Sequence, residues 1–395
     1  MSAQAKNSRP RRPQVALIVE TSLASGRDIL SGVARYVREH GPWAIYHEPR
    51  SLEEMVPRWL KNWKGDGLIA RIQNRQIAKA VAAIGLPTVD VLGVVEGCGF
   101  PLVHVDDAAI GTSGADHLLE RGFQSFGFLS IEGENWSRFR GRAFAARVAQ
   151  RGFACQTHEI ARRSAKSGSW ERYEAELARW IERLAKPAGV MIASDQLGTA
   201  LLEACRRAGA SVPDDVGVIG VDNDEPLCLV SDPPLSSIWP NHAQVGYEAA
   251  KLLDTMLQGQ PPPAAPVYLS PGKIVARLST NTLAVADRLV AAAARFIREH
   301  ASDGINVEDV VRDAAVCRSV LQRRFKDVFR RTIHDEIVTA RLGRAMELLR
   351  DTDLPLALIA TKSGFRHQEY MGAVFKQRLN TTPARYRIDS RQDAV

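Results

Sequence analysis

Apolar positions along this chain change period repeatedly. QVALIVE, residues 14–20, is a short apolar and β-branched run that reads as a buried strand. Behind it Ile29, Leu30, Val33, Tyr36 and Val37 recur at helical spacing until Gly41-Pro42 stops the pattern. Further strands are predicted over 44–47, 67–70, 88–92 and 102–105, with helices over 55–62 and 76–84 between them. A second series has strands over 125–129, 189–193, 216–221 and 273–277, and helices over 109–120, 141–150, 171–184, 197–208 and 246–257. Strand alternating with amphipathic helix predicts parallel sheets covered on both faces. Two such series predict two similar lobes with a cleft between them.

After residue 287 the period is helical throughout, with helices expected over 287–297, 307–314, 318–328 and 333–349. On the third of these Val320, Leu321, Phe325 and Val328 face inward, leaving Arg318, Ser319, Gln322, Arg323 and Arg324 outside. Leu356, Ile359 and Ala360 then start a short helix that Ser363-Gly364 breaks. A second helix follows, with Tyr370, Met371, Val374 and Phe375 inside and Arg366, His367, Gln368, Lys376 and Arg378 outside. Asn380 suits a left-handed cap, and Pro383 forbids continuation. Two short helices around a tight turn, the second carrying bidentate donors near its start, read as a helix-turn-helix. Two units bridged by one helix can enter successive major grooves about 34 Å apart.

Composition changes little in this picture: 45% hydrophobic and 25% charged residues are ordinary for a globular chain. No apolar run is long enough for a bilayer, and Val15–Val19 is too short for a signal-peptide core. A cytoplasmic protein is expected, with no membrane partner. Five scattered cysteines, Cys98, Cys155, Cys205, Cys228 and Cys317, form no CxxC pair, which argues against a disulfide framework or structural zinc; buried free thiols are expected. Charge matters more. The net charge is +7, and residues 287–390 hold 19 Lys/Arg against 14 Asp/Glu, so about a quarter of the chain carries most of the excess. An anionic partner for that quarter, double-stranded DNA, follows. No Gly-rich phosphate loop, GxSxG or metal spacing is present, so no enzyme activity, cofactor or metal is expected.

Several motifs sharpen the first 280 residues. GDGLIAR at 65–71, VHVDD at 103–107 with His117 to Phe123 behind it, Arg140 with Phe144, Ala193-Ser194-Asp195, VPDDVGVIGVDN at 212–223, and Gln244 with Gly246 stand in a fixed order. That order resembles the lactose/galactose-repressor type of sugar-binding domain, of the periplasmic-binding-protein fold. A sugar needs carboxylates, amides, a guanidinium fork and an aromatic plate. By this resemblance Asp106, Arg140, Asp195 and Asp222 contact ligand or hold the cleft. Arg27 and Arg71 are placed to reach it, Gln244 to bond ligand or brace the hinge, and Trp136 or Trp239 to stack on a sugar face. Repressors of that type carry their DNA-binding helices first. Here the first strand begins at Gln14, so the reader is expected at the other end.

There the residues are similar to the AraC/XylS family: Ser319, Leu321, Arg323, Phe325 and Lys326, then Ile359-Ala360, Gly364-Phe365, Tyr370, Phe375-Lys376, Thr382-Pro383 and Tyr386-Arg387. Arg331, Asn380 and Met371 depart from the family's Gly, Gly and Phe, and Arg331 would be strained in a left-handed cap. The combination resembles xylose-operon regulators along the whole chain. The expected fold is an α/β two-lobed periplasmic-binding-protein-like domain plus an all-α domain with two helix-turn-helix motifs. Expected boundaries are a disordered basic tail over 1–13, a sensor over 14–280, a linker over 281–286 and a reader over 287–390. The expected function is a sugar-responsive transcription regulator, an activator of a carbohydrate operon, with xylose or a related sugar as effector. Arg318, Ser319, Gln322, Arg323, Arg366, His367 and Gln368 are the expected DNA contacts. A homodimer is expected, and RNA polymerase is a candidate further partner. The rival readings are an AraC-type regulator of a non-sugar molecule, an α/β enzyme, and a sugar sensor that binds no DNA.

Overall fold

The computed structural model describes residues 11–51, 55–161, 170–281, 287–329 and 331–392. Most of the predicted basic tail, most of the 281–286 linker and residue 330, next to the expected cap at Arg331, lie outside these residues. The chain divides into two compact units, Met1–Thr282 and Leu283–Val395.

In the first unit the strands form where apolar runs are short and continuous. The elements are β1 (Gln14–Ile18), α1 (Ala24–His40), β2 (Ala44–His47), β3 (Gly67–Ala70), α2 (Arg75–Ala82), β4 (Thr88–Asp90) and β5 (Val103–Val105), then α3 (Asp107–Glu120), β6 (Ser125–Ile131), α4 (Asn135–Ala149), β7 (Cys155–Ile160), α5 (Trp170–Arg183), β8 (Ala188–Ile192), α6 (Gly198–Arg207), β9 (Val216–Val221), α7 (Glu225–Val230) and β10 (Ser236–Ile238). The unit closes with α8 (His242–Leu257), β11 (Val267–Leu269) and β12 (Ile274–Val275). One sheet has the order β2-β1-β3-β4, all parallel. The other runs β12-β10-β9-β8-β6-β7, parallel except for β12. A small β11-β5 pair joins the first sheet's edge through the Asp90–Leu102 bridge. These are the two expected lobes. Every residue of β3, β8 and β9 is buried, as strands covered on both faces must be. The chain passes between lobes near residues 106, 240 and 272, so the lobes share a three-stranded hinge.

Differences from expectation have local causes. The helix predicted over 55–62 is only a 3₁₀ turn, Leu60–Asn62, beyond Pro57; Trp59 and Trp63 pack there against Tyr46. The strand predicted over 273–277 shrinks to β12, an edge pair on β10. β7, α7, β10 and β11 were not predicted.

The second unit is all helix: α9 (Arg288–His300), α10 (Val307–Asp313), α11 (Arg318–Phe329), α12 (Ile333–Asp351), α13 (Leu356–Lys362), α14 (Gln368–Leu379) and α15 (Pro383–Gln392). It has two cores. Val290, Ile297, Val310, Leu321, Phe325, Ile333 and Ile337 form one. Val338, Leu342, Leu349, Ile359, Phe365, Met371 and Phe375 form the other. α12 belongs to both, its first turns in one core and the remainder in the next. Thr332 and Asp335 form a capping box that fixes its start.

Candidate functional site

The two lobes of the first unit enclose a cavity of about 530 Å³. Arg71, Gln73, His104 and His242 come to its wall from one lobe; Trp136, Arg140, Ser194 and Asp222 come from the other. Arg140 is only 3% exposed. Its Nε donates to Asp107 Oδ1 at 2.8 Å and its Nη1 to the Ala193 carbonyl at 2.7 Å. Its guanidinium lies 4.9 Å over the Trp136 ring. A Cβ on Gly111 would stand 2.2 Å from the Arg140 carbonyl, so only glycine lets α3 and α4 cross closely enough for this pair. Burial pushes the Asp107 carboxyl up, but Arg140 and His104 outweigh it and hold it below the usual carboxylate range.

Arg71, 7% exposed, closes β3 by donating its backbone N–H to Ile18. Its side chain is paired with Glu20 and donates to Ser25 Oγ at 3.0 Å. Both cavity guanidiniums are therefore already matched to carboxylates. An anionic ligand would gain little from them, whereas a neutral molecule bearing hydroxyls finds an aromatic face and many polar partners.

Asp222 follows the last residue of β9 with φ 106°, and Asn223 comes next at φ 48°. A non-glycine residue at that φ is strained, and such strain persists where the surroundings fix it. Here they do. Asp222 N–H donates to Ile238, Asn223 N–H to Ser237 Oγ, and Arg277 to the Asn223 side chain. Ser194 Oγ donates to Asp222 Oδ2 at 2.8 Å. Burial raises the Asp222 carboxyl, but His242, Arg140 and Ser194 outweigh it, so it stays ionised. Asp195 moves the opposite way, pushed up by burial and by Asp222.

Of the eight expected effector residues, Arg71, Trp136, Arg140 and Asp222 line the cavity. The other four are elsewhere. Asp195 lies behind the wall, where Ser237 Oγ, Asp224 N–H and Cys228 donate to it. Its neighbour Ser194 takes the wall position. Asp106 is the N-cap of α3, accepting from Ala109 N–H at 2.9 Å, and the next residue, Asp107, holds Arg140. Gln244 accepts from Arg35 and donates to Glu248, and is not part of the wall. Arg27 donates to the Thr21 carbonyl and stands 3.8 Å from Asp224. Trp239 also lies outside the lining. The residues that sequence reasoning missed include His104 and His242. The first lies inside a three-residue strand, and the second in the four residues by which α8 precedes the expected helix start at Gly246.

In the second unit, α10 and α11 meet at Ala315, which has φ 52°; α13 and α14 meet at Gly364, φ 78°. Each turn thus has one left-handed residue. At Gly364 a Cβ would stand 2.1 Å from the Ala301 carbonyl, so nothing larger fits. Arg318, Ser319, Gln322 and Arg323 are exposed at the start of α11. Gln368 begins α14, and the exposed Arg366 and His367 belong to the turn before it rather than to the helix. Arg318 pairs with Glu308 at 2.6 Å. Arg323 and Arg366 have no carboxylate partner among the described residues. Tyr370, expected inside, is 42% exposed, its ring edge-on to Phe365. Asn380 adopts the expected left-handed cap, φ 53°. Cys205 and Cys228 are buried, but Cys317 is exposed, against expectation.

Known proteins share this plan. Residues 14–104 match the XylR N-terminal domain, 115–280 a periplasmic binding protein-like domain, and 310–388 a helix-turn-helix domain. The xylose operon regulatory protein of Escherichia coli K12 is 31% identical over 95% of this chain and 97% of its own length. The chain belongs to the xylose operon regulator family. The Haemophilus influenzae member is 27% identical over 95% of this chain and 98% of its own. A solved xylose-binding transcription activator superposes with TM-score 0.81 at 29% identity, covering 96% of this chain and 98% of that one. A LacI-type regulator from a Rhodococcus species, 18% identical with TM-score 0.57, covers 69% of this chain and all of that one, and shares the fold alone. This regulator is therefore a transcription regulator with a periplasmic-binding-protein-like sensor and a helix-turn-helix DNA-binding domain. Among the described residues no helix is long and apolar enough to cross a membrane.

Proposed function

We propose that the interlobe cavity binds xylose or a related neutral sugar, and that the bound sugar changes the grip of the helix-turn-helix domain on operator DNA. In this reading residues 14–280 are the sensor and 287–390 the reader, working in the cytoplasm as a homodimer that activates transcription with RNA polymerase. Arg71, Trp136, Arg140 and Asp222 hold the sugar. Arg318, Ser319, Gln322, Arg323, Arg366, His367 and Gln368 meet the duplex. One observation carries the sugar reading: Arg140, neutralised by Asp107 and laid on Trp136, shares a two-lobed wall with Asp222 and Ser194. That set offers hydroxyl partners and a ring face without a net charge to hold an anion. Ligand can shift the sensor only by its differential affinity for two lobe arrangements.

The test is calorimetry of the full chain against a panel of pentoses and hexoses, with duplex binding followed on DNA selected by the protein from a random pool. A pentose should bind and change duplex affinity. Duplex affinity should fall roughly 10³-fold between about 50 and 200 mM salt, as for about six phosphate contacts. No sugar binding, or duplex binding indifferent to salt, would sink the reading.

A further inference from the structure

His104 and His242 sit in the same lobe, on β5 and at the first residue of α8, and both line the cavity. They are 5% and 3% exposed. Neither ring nitrogen of His242 has a hydrogen-bond partner among the described residues, and His104 Nε2 has none either. His104 Nδ1 is occupied by the Val91 carbonyl at 3.3 Å, so that ring is fixed with its other nitrogen left over. Buried polar atoms are almost always satisfied, and an orphan costs free energy. Three orphans in one cavity wall call for a common partner.

Two carboxylates of the opposite lobe stand near. Asp107 Oδ2 is 3.5 Å from His104 Nε2, and Asp222 Oδ1 is 3.6 Å from His242 Nε2. Both distances are long for a hydrogen bond. Both carboxylates also have closer partners: Arg140 at 2.8 Å for Asp107 and Ser194 at 2.8 Å for Asp222. The imidazoles thus help to lower both carboxylates while their ring nitrogens stop short of good hydrogen-bond distance. Burial, with Arg71 and His104 that also face His242, outweighs the pull of the Asp222 carboxylate and pushes the ring below the usual histidine range, toward the neutral form. A neutral imidazole presents one donor and one acceptor, as a sugar hydroxyl does.

We propose that His104 and His242 are effector-contacting residues, their orphaned ring nitrogens completed by hydroxyl groups of a neutral polyhydroxy ligand. The proposal rests on the reading of the cavity as the effector site. It adds the side chains that would count the ligand's hydroxyls from the N-terminal lobe.

The experiment is a cycle between protein and ligand. The full chain, and its His104→Ala, His104→Gln, His242→Ala and His242→Gln variants, are titrated calorimetrically with xylose and its 2-, 3- and 4-deoxy analogues. Urea unfolding followed by tryptophan fluorescence checks that each variant is folded; the Gln variants serve if an Ala variant is not. Each imidazole removed should cost about 10-fold or more in xylose affinity, the size of one lost buried hydrogen bond. Each variant should also lose discrimination against one particular deoxy analogue, because its partner hydroxyl is already unpaired. Wild-type affinity in the folded variants would overturn the proposal. So would weaker binding with discrimination against every analogue intact, which would make the histidines latches between lobes. If the unmodified chain binds no neutral sugar, the effector reading itself fails, independently of any variant.

Discussion

The regulator treats its arginines in two opposite ways. In the sensor, Arg71 and Arg140 are almost wholly buried, and each is tied to a carboxylate and to neighbouring oxygens. In the reader, Arg323 and Arg366 stand in solvent with no carboxylate partner among the described residues, and Arg318 has only an exposed one. The same side chain therefore does different physical work. A buried pair fixes geometry, and losing one member leaves an uncompensated charge. An exposed guanidinium adds little to stability, yet keeps its five donors available to a base edge or phosphate. Two regions so different should respond to the same substitution in opposite ways.

Arg140→Ala should give the largest effect. It strips Asp107 of its counter-ion and the Ala193 carbonyl of its donor. The sensor should lose about 3–5 kcal/mol, the range for breaking a buried pair. All seven tryptophans lie before residue 283, so urea unfolding followed by their fluorescence reports the sensor alone. A sensor that unfolds at the wild-type midpoint would show that the pair is not structural.

Arg323→Ala should do the reverse. Unfolding should not move by more than about 0.5 kcal/mol, as for an exposed residue. Discrimination at one base pair should weaken by about 1–3 kcal/mol. Binding measured against single-base variants of the selected duplex gives the answer. Uniform weakening across all of them would reassign Arg323 to a phosphate.

How much of this was legible depends on what each position had to bury. Strands β1 after Gln14, β3 and β9 announced themselves because both their faces are covered, so those residues are apolar or glycine without interruption. β7, CQTHEI, is an edge strand with mostly open faces, and nothing in its composition marks it. Arg140 and Asp222 were readable from motif order, but not which aspartate of the 106–107 pair would hold Arg140. An aspartate before a helix caps it by default, and Asp106 does so, leaving Asp107 for the ion pair. His242 was hidden by a boundary: Asn241 begins α8 from a left-handed cap, four residues before the periodic apolar pattern starts. In the reader the inner faces were plain, since Leu321, Phe325, Met371 and Phe375 repeat at helical spacing around small cores. Tyr370 misled because tyrosine is apolar in body and its neighbour Met371 already fills the core.

The smallest effect tests the comparison through protons. His117 on α3 is buried, with Nε2 against Thr280 Oγ1 at 2.9 Å and Nδ1 accepting from Arg121 at 3.0 Å. Burial, then Arg121, pushes its pKa from 6.5 to about 3. The folded sensor thus binds fewer protons than the unfolded chain between those values, and its stability must fall as pH drops through the upper one. Between pH 8 and 6 this amounts to on the order of 1 kcal/mol. Burial lowers His158 and His242 as well, adding to the same slope. In the reader Asp335 is lowered by Thr332 and Arg378 and stays ionised from pH 8 to 6, whereas Glu336 is raised by burial, so anything it adds in that window is opposite in sign to the sensor's slope. Calorimetry of the full chain from pH 8 to 6 should therefore shift the transition that coincides with tryptophan fluorescence and move any separate reader transition less. In His117→Gln the sensor's slope should flatten without vanishing. A slope unchanged by that substitution would mean the imidazole takes up its proton as readily in the folded sensor as in the unfolded chain, and a steeper slope would mean it is held protonated beside Arg121.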